Sequence, residues 1–241
     1  MPAIKCSAEV SEIRVLTYDV KEISLKLIDP PQVQFLAGQY ISIEVTEIKD
    51  GVSRLNNRPY SIVSPPEEQE TIKLCANLVK GGPGSTYLHT LKMGDKLQFL
   101  YPMGYFTLND PAETSLLFVA TGTGIAPLKA MILHLLHRGS QRQISLYWGL
   151  RHEKDLYYHE EFTALSKQHP SFHFFLTLSQ PSPQWLGMRG RVTDHLREKI
   201  ESVENLTSAL CGNGGMIKDV RSLLMEKGMP KKSIHFEKFY N

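Results

Sequence analysis

Cysteine is scarce in this chain. Cys6, Cys75 and Cys211 are the only three in 241 residues, and they lie far apart. None forms a CxxC pair, which excludes a zinc framework. A plant-type iron–sulfur cluster needs a closely grouped set of thiolates, which scattered cysteines cannot supply. Such thiols suit a reducing compartment. Long apolar runs are missing too: none approaches the about 18 residues of a membrane-spanning helix. Met1-Pro2-Ala3-Ile4-Lys5 lacks the apolar stretch of a signal peptide. The expectation is a cytoplasmic protein with no transmembrane segment. Excess charge of either sign is also absent. The 27 Lys and Arg against 25 Asp and Glu leave a net +2, without the dense basic surface that nucleic acid demands. With 41% apolar and 22% charged residues, the composition supports a packed core and argues against disorder.

What is present changes character along the chain. The first hundred residues read as short strands. Val10–Val20 and Ile23–Ile28 are rich in β-branched residues, while Tyr40–Val45 and Thr71–Ala76 alternate apolar and polar, as half-buried strands do. Gly, Pro and Asp between them point to an antiparallel barrel. After Pro111, Ser115–Ala120 is a continuous apolar run, as in a strand buried on both faces. A helical stripe of Leu128, Met131, Ile132, Leu135 and Leu136 follows. Then come Ile144–Trp148, a helix with Phe162 and Leu165, the run Phe172–Leu176, and a loop at Gly187–Arg191 before another helix. Strands alternating with helices imply a mostly parallel sheet. The fold class is therefore a two-domain chain. An antiparallel β-barrel spans residues 1–110, and an α/β domain with a mostly parallel sheet spans 111–241.

Five stretches carry chemistry. Arg58-Pro59-Tyr60-Ser61 offers a cation, an aromatic face and a hydroxyl, with Arg58 and Tyr60 on one face of a strand. Taken alone, it reads more simply as a strand end with a proline at its rim. Lys80-Gly81-Gly82-Pro83-Gly84-Ser85-Thr86 suits an anion at a helix beginning near Ser85, or an ordinary cap. Thr121-Gly122-Thr123-Gly124-Ile125-Ala126-Pro127 is a glycine turn between strand and helix. Its Pro127 replaces the third small residue of the usual dinucleotide fingerprint. Gly149-Leu150-Arg151 ends another strand. Cys211-Gly212-Asn213-Gly214-Gly215-Met216 lies at the carboxyl end of a strand, where open α/β sheets bind ligands; the alternative is a buried small thiol. Lys227, Lys231 and Lys232 form a loose basic group that could receive an acidic partner or be simply solvated.

Taken in this order and spacing, the stretches resemble the ferredoxin–NADP reductase superfamily of flavoproteins. Within it, the chain is most similar to the NAD(P)H-dependent reductase portion of bacterial oxygenase systems. The closing Glu237-Lys238-Phe239 also fits. The resemblance implies an FAD-binding barrel and an NAD(P)-binding α/β domain. It implies that Arg58, within Arg58-Pro59-Tyr60-Ser61, contacts the flavin phosphate, that Tyr60 packs on the ring, and that Ser61 approaches N5. Gly82, Ser85 and Thr86 would hold the pyrophosphate. Gly122, Thr123, Gly124, Gly149, Arg151, Cys211, Gly212 and Met216 would serve the nicotinamide nucleotide, with Thr123 and Cys211 flanking its ring. Phe239, with Tyr240 as the neighbouring alternative, would be the C-terminal aromatic near the flavin. Ser61, Cys211 and Phe239 would thus stand closest to the reacting atoms.

The chain departs from oxygenase reductases in having no cysteine set for a fused iron–sulfur domain. Electrons are therefore expected to pass to a separate acceptor, a ferredoxin-like or haem protein. Reduction of free flavin or small acceptors is the alternative activity, and a non-catalytic nucleotide-sensing module is a third reading. NADH is the expected donor over NADPH. Gln180 stands where NADP-dependent relatives carry an arginine, although Arg189 and Arg191 could substitute.

Overall fold

The computed structural model describes residues 3–49, 52–108 and 114–240. The chain falls into two compact units. Met1–Thr107 with Lys129–His134 forms the first, and Leu108–Leu128 with Leu135–Asn241 the second. The division differs from a single cut in that a short stretch of helix groups with the first unit. The boundary expected near residue 110 lies outside the described residues.

The first unit holds β1 (Ile4–Val15), β2 (Val20–Asp29), β3 (Tyr40–Lys49), β4 (Val52–Ser61), β5 (Thr71–Asn77), α1 (Pro83–Thr90) and β6 (Lys96–Met103). The six strands form one antiparallel sheet in the order β4-β3-β6-β1-β2-β5. Its two ends meet where Ile62, just past β4, bridges to Leu74 of β5, and the Val63 amide donates to the Lys73 carbonyl at 2.8 Å. This single bridge ties the two outer strands together just past β4, which otherwise remains an edge strand of the sheet. Period-two burial fills the interior: Cys6, Ala8 and Val10 from β1, Ile41, Ile43 and Val45 from β3, and Ile72 and Leu74 from β5 share one core.

The run Val10–Val20 is not one strand. It turns between β1 and β2, because the Thr17 hydroxyl bonds the Asp19 carboxylate at 2.9 Å and accepts the Val20 amide at 3.0 Å. A local side-chain turn of this kind outcompetes β propensity. Glu22 of β2 is buried at 3% exposure. It meets Arg14 at 2.7 Å and Lys129, itself only 5% exposed, at 3.9 Å. Buried charges persist only when paired.

The second unit holds β7 (Ser115–Thr121), α2 (Ile125–His137), β8 (Ile144–Leu150), α3 (His159–Gln168), β9 (Phe172–Leu178), β10 (Met188–Arg189), α4 (Val192–Lys199), β11 (Leu206–Asn213), α5 (Gly214–Glu226) and β12 (Ile234–Tyr240). Residues 129–134 of α2 group with the first unit. All strand pairs of this sheet are parallel, in the order β10-β9-β8-β7-β11-β12. The continuous apolar run Leu116–Ala120 is buried throughout, as a strand covered on both faces must be. On α5, Ile217, Val220, Leu223 and Leu224 are buried together against β11 and its neighbours. The expected loop at Gly187–Arg191 contains a short strand instead, Met188–Arg189 pairing with Thr177 and Leu178 of β9. The stripe expected on α2 is nearly a full circle: Ala126, Lys129 and Ala130 are buried along with Leu128, Met131 and Ile132.

The strand order reverses beside β7. From there the chain builds outward through β8, β9 and β10 on one side, then returns through β11 and β12 on the other. Crevices outside the carboxyl ends of strands at such a switch point are where open α/β sheets bind ligands.

Candidate functional site

In the first unit, β4 carries Arg58 and Tyr60 on one face, and the first turn of α1 lies against both. A side chain at Gly84 would bring its Cβ to 2.5 Å from the Tyr60 hydroxyl and to 2.9 and 3.1 Å from Cγ and Cβ of Arg58. Glycine is what lets this helix start so close to the strand. The helix begins at Pro83, two residues before Ser85. Its N-cap, Gly82, makes no side-chain cap bond, and its first turn contains no acidic residue. Proline suits this first position because its missing N–H would have no partner there. No side chain caps the positive end of the helix, and the aliphatic stem of Arg58 lies against its first turn. By contrast, Asn213 caps α5, its Oδ1 accepting the amides of Gly215 at 2.9 Å and Met216 at 3.2 Å.

The Arg58 guanidinium donates to Glu47 Oε2 at 3.0 Å and to the Asn57 carbonyl at 3.1 Å. Burial pushes the Tyr60 phenol up to about 12, with the Arg58 charge pulling the other way. Its ring is therefore neutral at any working pH. Pro59 sits in the edge strand opposite Ser42, where a missing N–H is tolerated. Ser61 ends β4, buried and paired with Tyr40. Ser85 differs from the expected arrangement. Its hydroxyl accepts the Val79 amide at 3.0 Å and lies 3.0 Å from the Gly82 carbonyl, fastening the glycine loop to the helix. Thr86 is exposed, and its amide donates to the Gly82 carbonyl at 3.0 Å.

In the second unit, the carboxyl ends of β7, β11 and β12 bring a second group together. Gly122, Thr123 and Gly124 form a tight 3-10 turn after Thr121. A Cβ on Gly124 would fall 2.5 Å from the carbonyl carbon of Cys211 and 2.6 Å from Gly212 Cα. Gly212 has φ +129, and a Cβ there would meet the Thr121 backbone at 2.6 Å. The two glycines interlock the turn with β11 at backbone distance. Two hydrogen bonds fix the arrangement: the buried Trp148 indole donates to the Gly122 carbonyl at 3.0 Å, and the Asn213 amide donates to the Thr121 hydroxyl at 2.9 Å. Gly149 sits beside Thr121 and Val192, which a Cβ would meet at 3.4 and 3.1 Å.

Cys211 lies inside β11, fully buried. Burial and the nearby Glu237 carboxylate push its thiol well above the ordinary range, so it is a neutral group and not a thiolate nucleophile. Tyr240 reaches over the turn. Its hydroxyl donates to the Thr121 carbonyl at 3.5 Å, and a Cβ on Gly122 would come 3.0 Å from its oxygen. Of the two C-terminal aromatics, both exposed on β12, Tyr240 is thus the one against the glycine turn. Arg151 is exposed just past β8, and its carbonyl accepts the Gln180 amide at 2.9 Å. Met216 is buried in the first turn of α5.

Lys231 and Lys232 stand in a 3-10 turn at the amino end of β12, with Lys227 shortly before it. The glycine turn lies at the carboxyl end of that strand, about 20 Å away at strand rise. The structure does not bring this basic group to the site.

Sequence reasoning missed Glu47; it quoted Gly84, Thr121 and Asn213 inside their stretches and Trp148 as a strand end without giving any of them a role. Gly84 carried a signal, a third glycine after Gly81-Gly82. The others act through neighbours that only the fold supplies.

Comparison with known proteins defines the class. Residues 7–108 match the oxidoreductase FAD-binding domain family, and residues 118–222 match the oxidoreductase NAD-binding domain family. The chain is 33% identical to ferredoxin–NADP reductase B of Sorangium cellulosum over 239 residues, covering 96% of each protein. It is also 33% identical to the phenol 2-monooxygenase reductase component DmpP of Pseudomonas sp., covering 96% of this chain but only 64% of that one. Among solved structures, the cytochrome P450 reductase GcoB of Amycolatopsis superposes with a TM-score of 0.87 at 28% identity, over 100% of this chain and 71% of that one.

These domains make the protein an FAD-containing, nicotinamide-dependent oxidoreductase. The chain belongs to the ferredoxin–NADP reductase superfamily. Among the described residues, no cluster of His, Cys, Asp or Glu could hold a metal ion, and no helix is long and apolar enough to cross a membrane.

Proposed function

We propose that this protein takes hydride from NADH onto the N5 atom of bound FAD and passes electrons to a separate ferredoxin-like or haem protein. The observation that carries the reading is the uncapped start of α1 with Arg58 and Tyr60 packed beneath Gly84. A helix N-terminus with an arginine at its mouth is an anion site. An adjacent neutral aromatic face suits a flavin ring. Arg58 would bind the FAD phosphate and Tyr60 would pack on the ring, while Pro59 stiffens the strand between them. Gly82 and the amides of the first turn would hold the pyrophosphate. In this reading Ser85 contributes its backbone and not its hydroxyl, Thr86 flanks the turn, and Ser61 at the end of β4 would approach N5.

When bound, the flavin ring accepts hydride from a nicotinamide and releases electrons singly. The chain's own residues bind and orient, since the transfer needs no strong acid or base. Productive transfer requires nicotinamide C4 within about 3–3.5 Å of flavin N5. Thr123, in its buried turn, and Cys211 would position the nicotinamide, with Gly122, Gly124 and Gly212 allowing close approach. Gly149, Arg151 and Met216 would line the nucleotide side. Tyr240, in preference to Phe239, would be the aromatic that covers the turn until the nucleotide arrives. Cytoplasmic location fits three buried free cysteines.

Replacing Arg58 by alanine tests the reading. Charge-assisted hydrogen bonds are worth about 1.5–3 kcal/mol, so the FAD Kd should rise roughly tenfold or more. Wild-type FAD affinity in Arg58→Ala would contradict the phosphate role.

The nucleotide preference also follows from side chains. Arg189 is occupied, its Nη2 lying 2.6–3.0 Å from the carbonyls of Ser182, Pro183 and Trp185. The Arg191 amide donates to the Asp194 carboxylate at 3.2 Å, which sets a negative charge at the start of α4. Gln180 is exposed and neutral. A 2′-phosphate needs cations, so NADH should show the higher kcat/KM and Gln180→Arg should shift the ratio toward NADPH. A wild-type ratio favouring NADPH would overturn the assignment.

A further inference from the structure

Arg58 is not held by its own strand alone. Its stem lies under Gly84, and its guanidinium is anchored by the Asn57 carbonyl and by Glu47 Oε2. Glu47 sits across the hairpin on β3, four register positions from the residue opposite Arg58, which is Ile43. The same Glu47 oxygen also accepts the Asn56 side-chain amide at 2.9 Å. One half-buried carboxylate oxygen thus gathers two donors from β4. A guanidinium carries more N–H donors than these two anchoring bonds consume, in a rigid planar fork. Fixing two of them sets the plane and direction of the rest. An arginine otherwise loses considerable rotamer freedom when it clamps a ligand; a preset fork has lost that freedom already.

We propose that Glu47 is a positioning residue for FAD, holding the Arg58 fork so that its remaining donors face the cofactor phosphate. The proposal rests on the phosphate role assigned to Arg58. It excludes the opposite effect of the same contact, in which Glu47 competes with phosphate for the guanidinium and weakens FAD binding.

The experiment is a double-mutant cycle on apoprotein titrated with FAD, and in parallel with riboflavin, which lacks phosphate. The variants are Glu47→Ala, Glu47→Gln, Arg58→Ala and the double alanine. Glu47→Ala should raise the FAD Kd about fivefold, a coupling typical of contacting residues, and leave the riboflavin Kd unchanged. In the Arg58→Ala background the same change should have no effect. Glu47→Gln retains an acceptor oxygen and should fall between wild type and Glu47→Ala. Thermal melts of the apoproteins show that each variant is folded. Tighter FAD binding by Glu47→Ala would overturn the proposal in favour of competition. An equal loss in both backgrounds, or an equal loss for riboflavin, would reduce Glu47 to a hairpin contact. If Arg58→Ala itself leaves the FAD Kd unchanged, the phosphate reading fails and the proposal falls with it. Loss in Arg58→Ala without coupling to Glu47 overturns the proposal alone.

Discussion

Gly84→Ala should release FAD while leaving the apoprotein folded. The added Cβ would stand 2.5 Å from the Tyr60 hydroxyl and 3.1 Å from Arg58 Cβ. The tyrosine is stiff, and a Cβ cannot move without its strand, so the start of α1 must lift from β4. Overpacking of this kind costs about 1–3 kcal/mol of stability, and the displaced helix start should raise the FAD Kd by roughly tenfold or more. Alanine's helical preference over glycine returns only about 0.5–1 kcal/mol of that cost, so the apoprotein should stay folded with a melting temperature lower by a few degrees. FAD titration of the apoprotein, with a thermal melt beside it, separates the two effects. Undiminished FAD affinity would mean that the contact between helix and strand does not shape the cofactor site.

Gly124→Ala should act on the other cofactor. Its Cβ would collide with the Cys211 carbonyl carbon at 2.5 Å and Gly212 Cα at 2.6 Å. Both are backbone atoms of a central strand, and nothing there can swing aside. The turn must shift away from β11, carrying Thr123 with it. Misplacing a reactant by about 1 Å can cost on the order of a hundredfold in rate, and the strain itself should remove about 1–3 kcal/mol of stability. FAD should remain bound, since no residue of this turn belongs to the first unit. Stopped-flow reduction at saturating NADH checks it. A wild-type rate would remove the turn from the nicotinamide site.

Much of the fold was legible because burial writes its period into the sequence. The alternation of Tyr40–Val45 placed β3, and the unbroken apolar run Ser115–Ala120 placed β7, because antiparallel and fully covered parallel strands make opposite demands on their faces. The sequence misled where a local bond overrode the pattern. Val10–Val20 reads as one β-branched run, yet the Thr17 hydroxyl folds it into a turn. Nor did the apolar stripe of α2 show that Lys129 would be buried, 3.9 Å from Glu22.

The motifs were legible as motifs, and their partners were not. Nothing near Arg58 in the chain announces Glu47 across the hairpin. Nothing near Gly122 announces that Trp148 and Tyr240 will meet it. Ser85 shows the converse: a residue of the right type for binding phosphate spends its hydroxyl on the loop behind it. That the basic group at Lys227, Lys231 and Lys232 lies at the opposite end of β12 from the glycine turn emerges only from the folded chain.

Anaerobic mixing of the FAD-loaded protein with NADH tests the central claim most directly. The oxidised-flavin absorbance should be lost rapidly with equimolar NADH and should return when a ferredoxin-like or haem acceptor is added. FAD that stays oxidised under excess NADH and excess NADPH alike would contradict it.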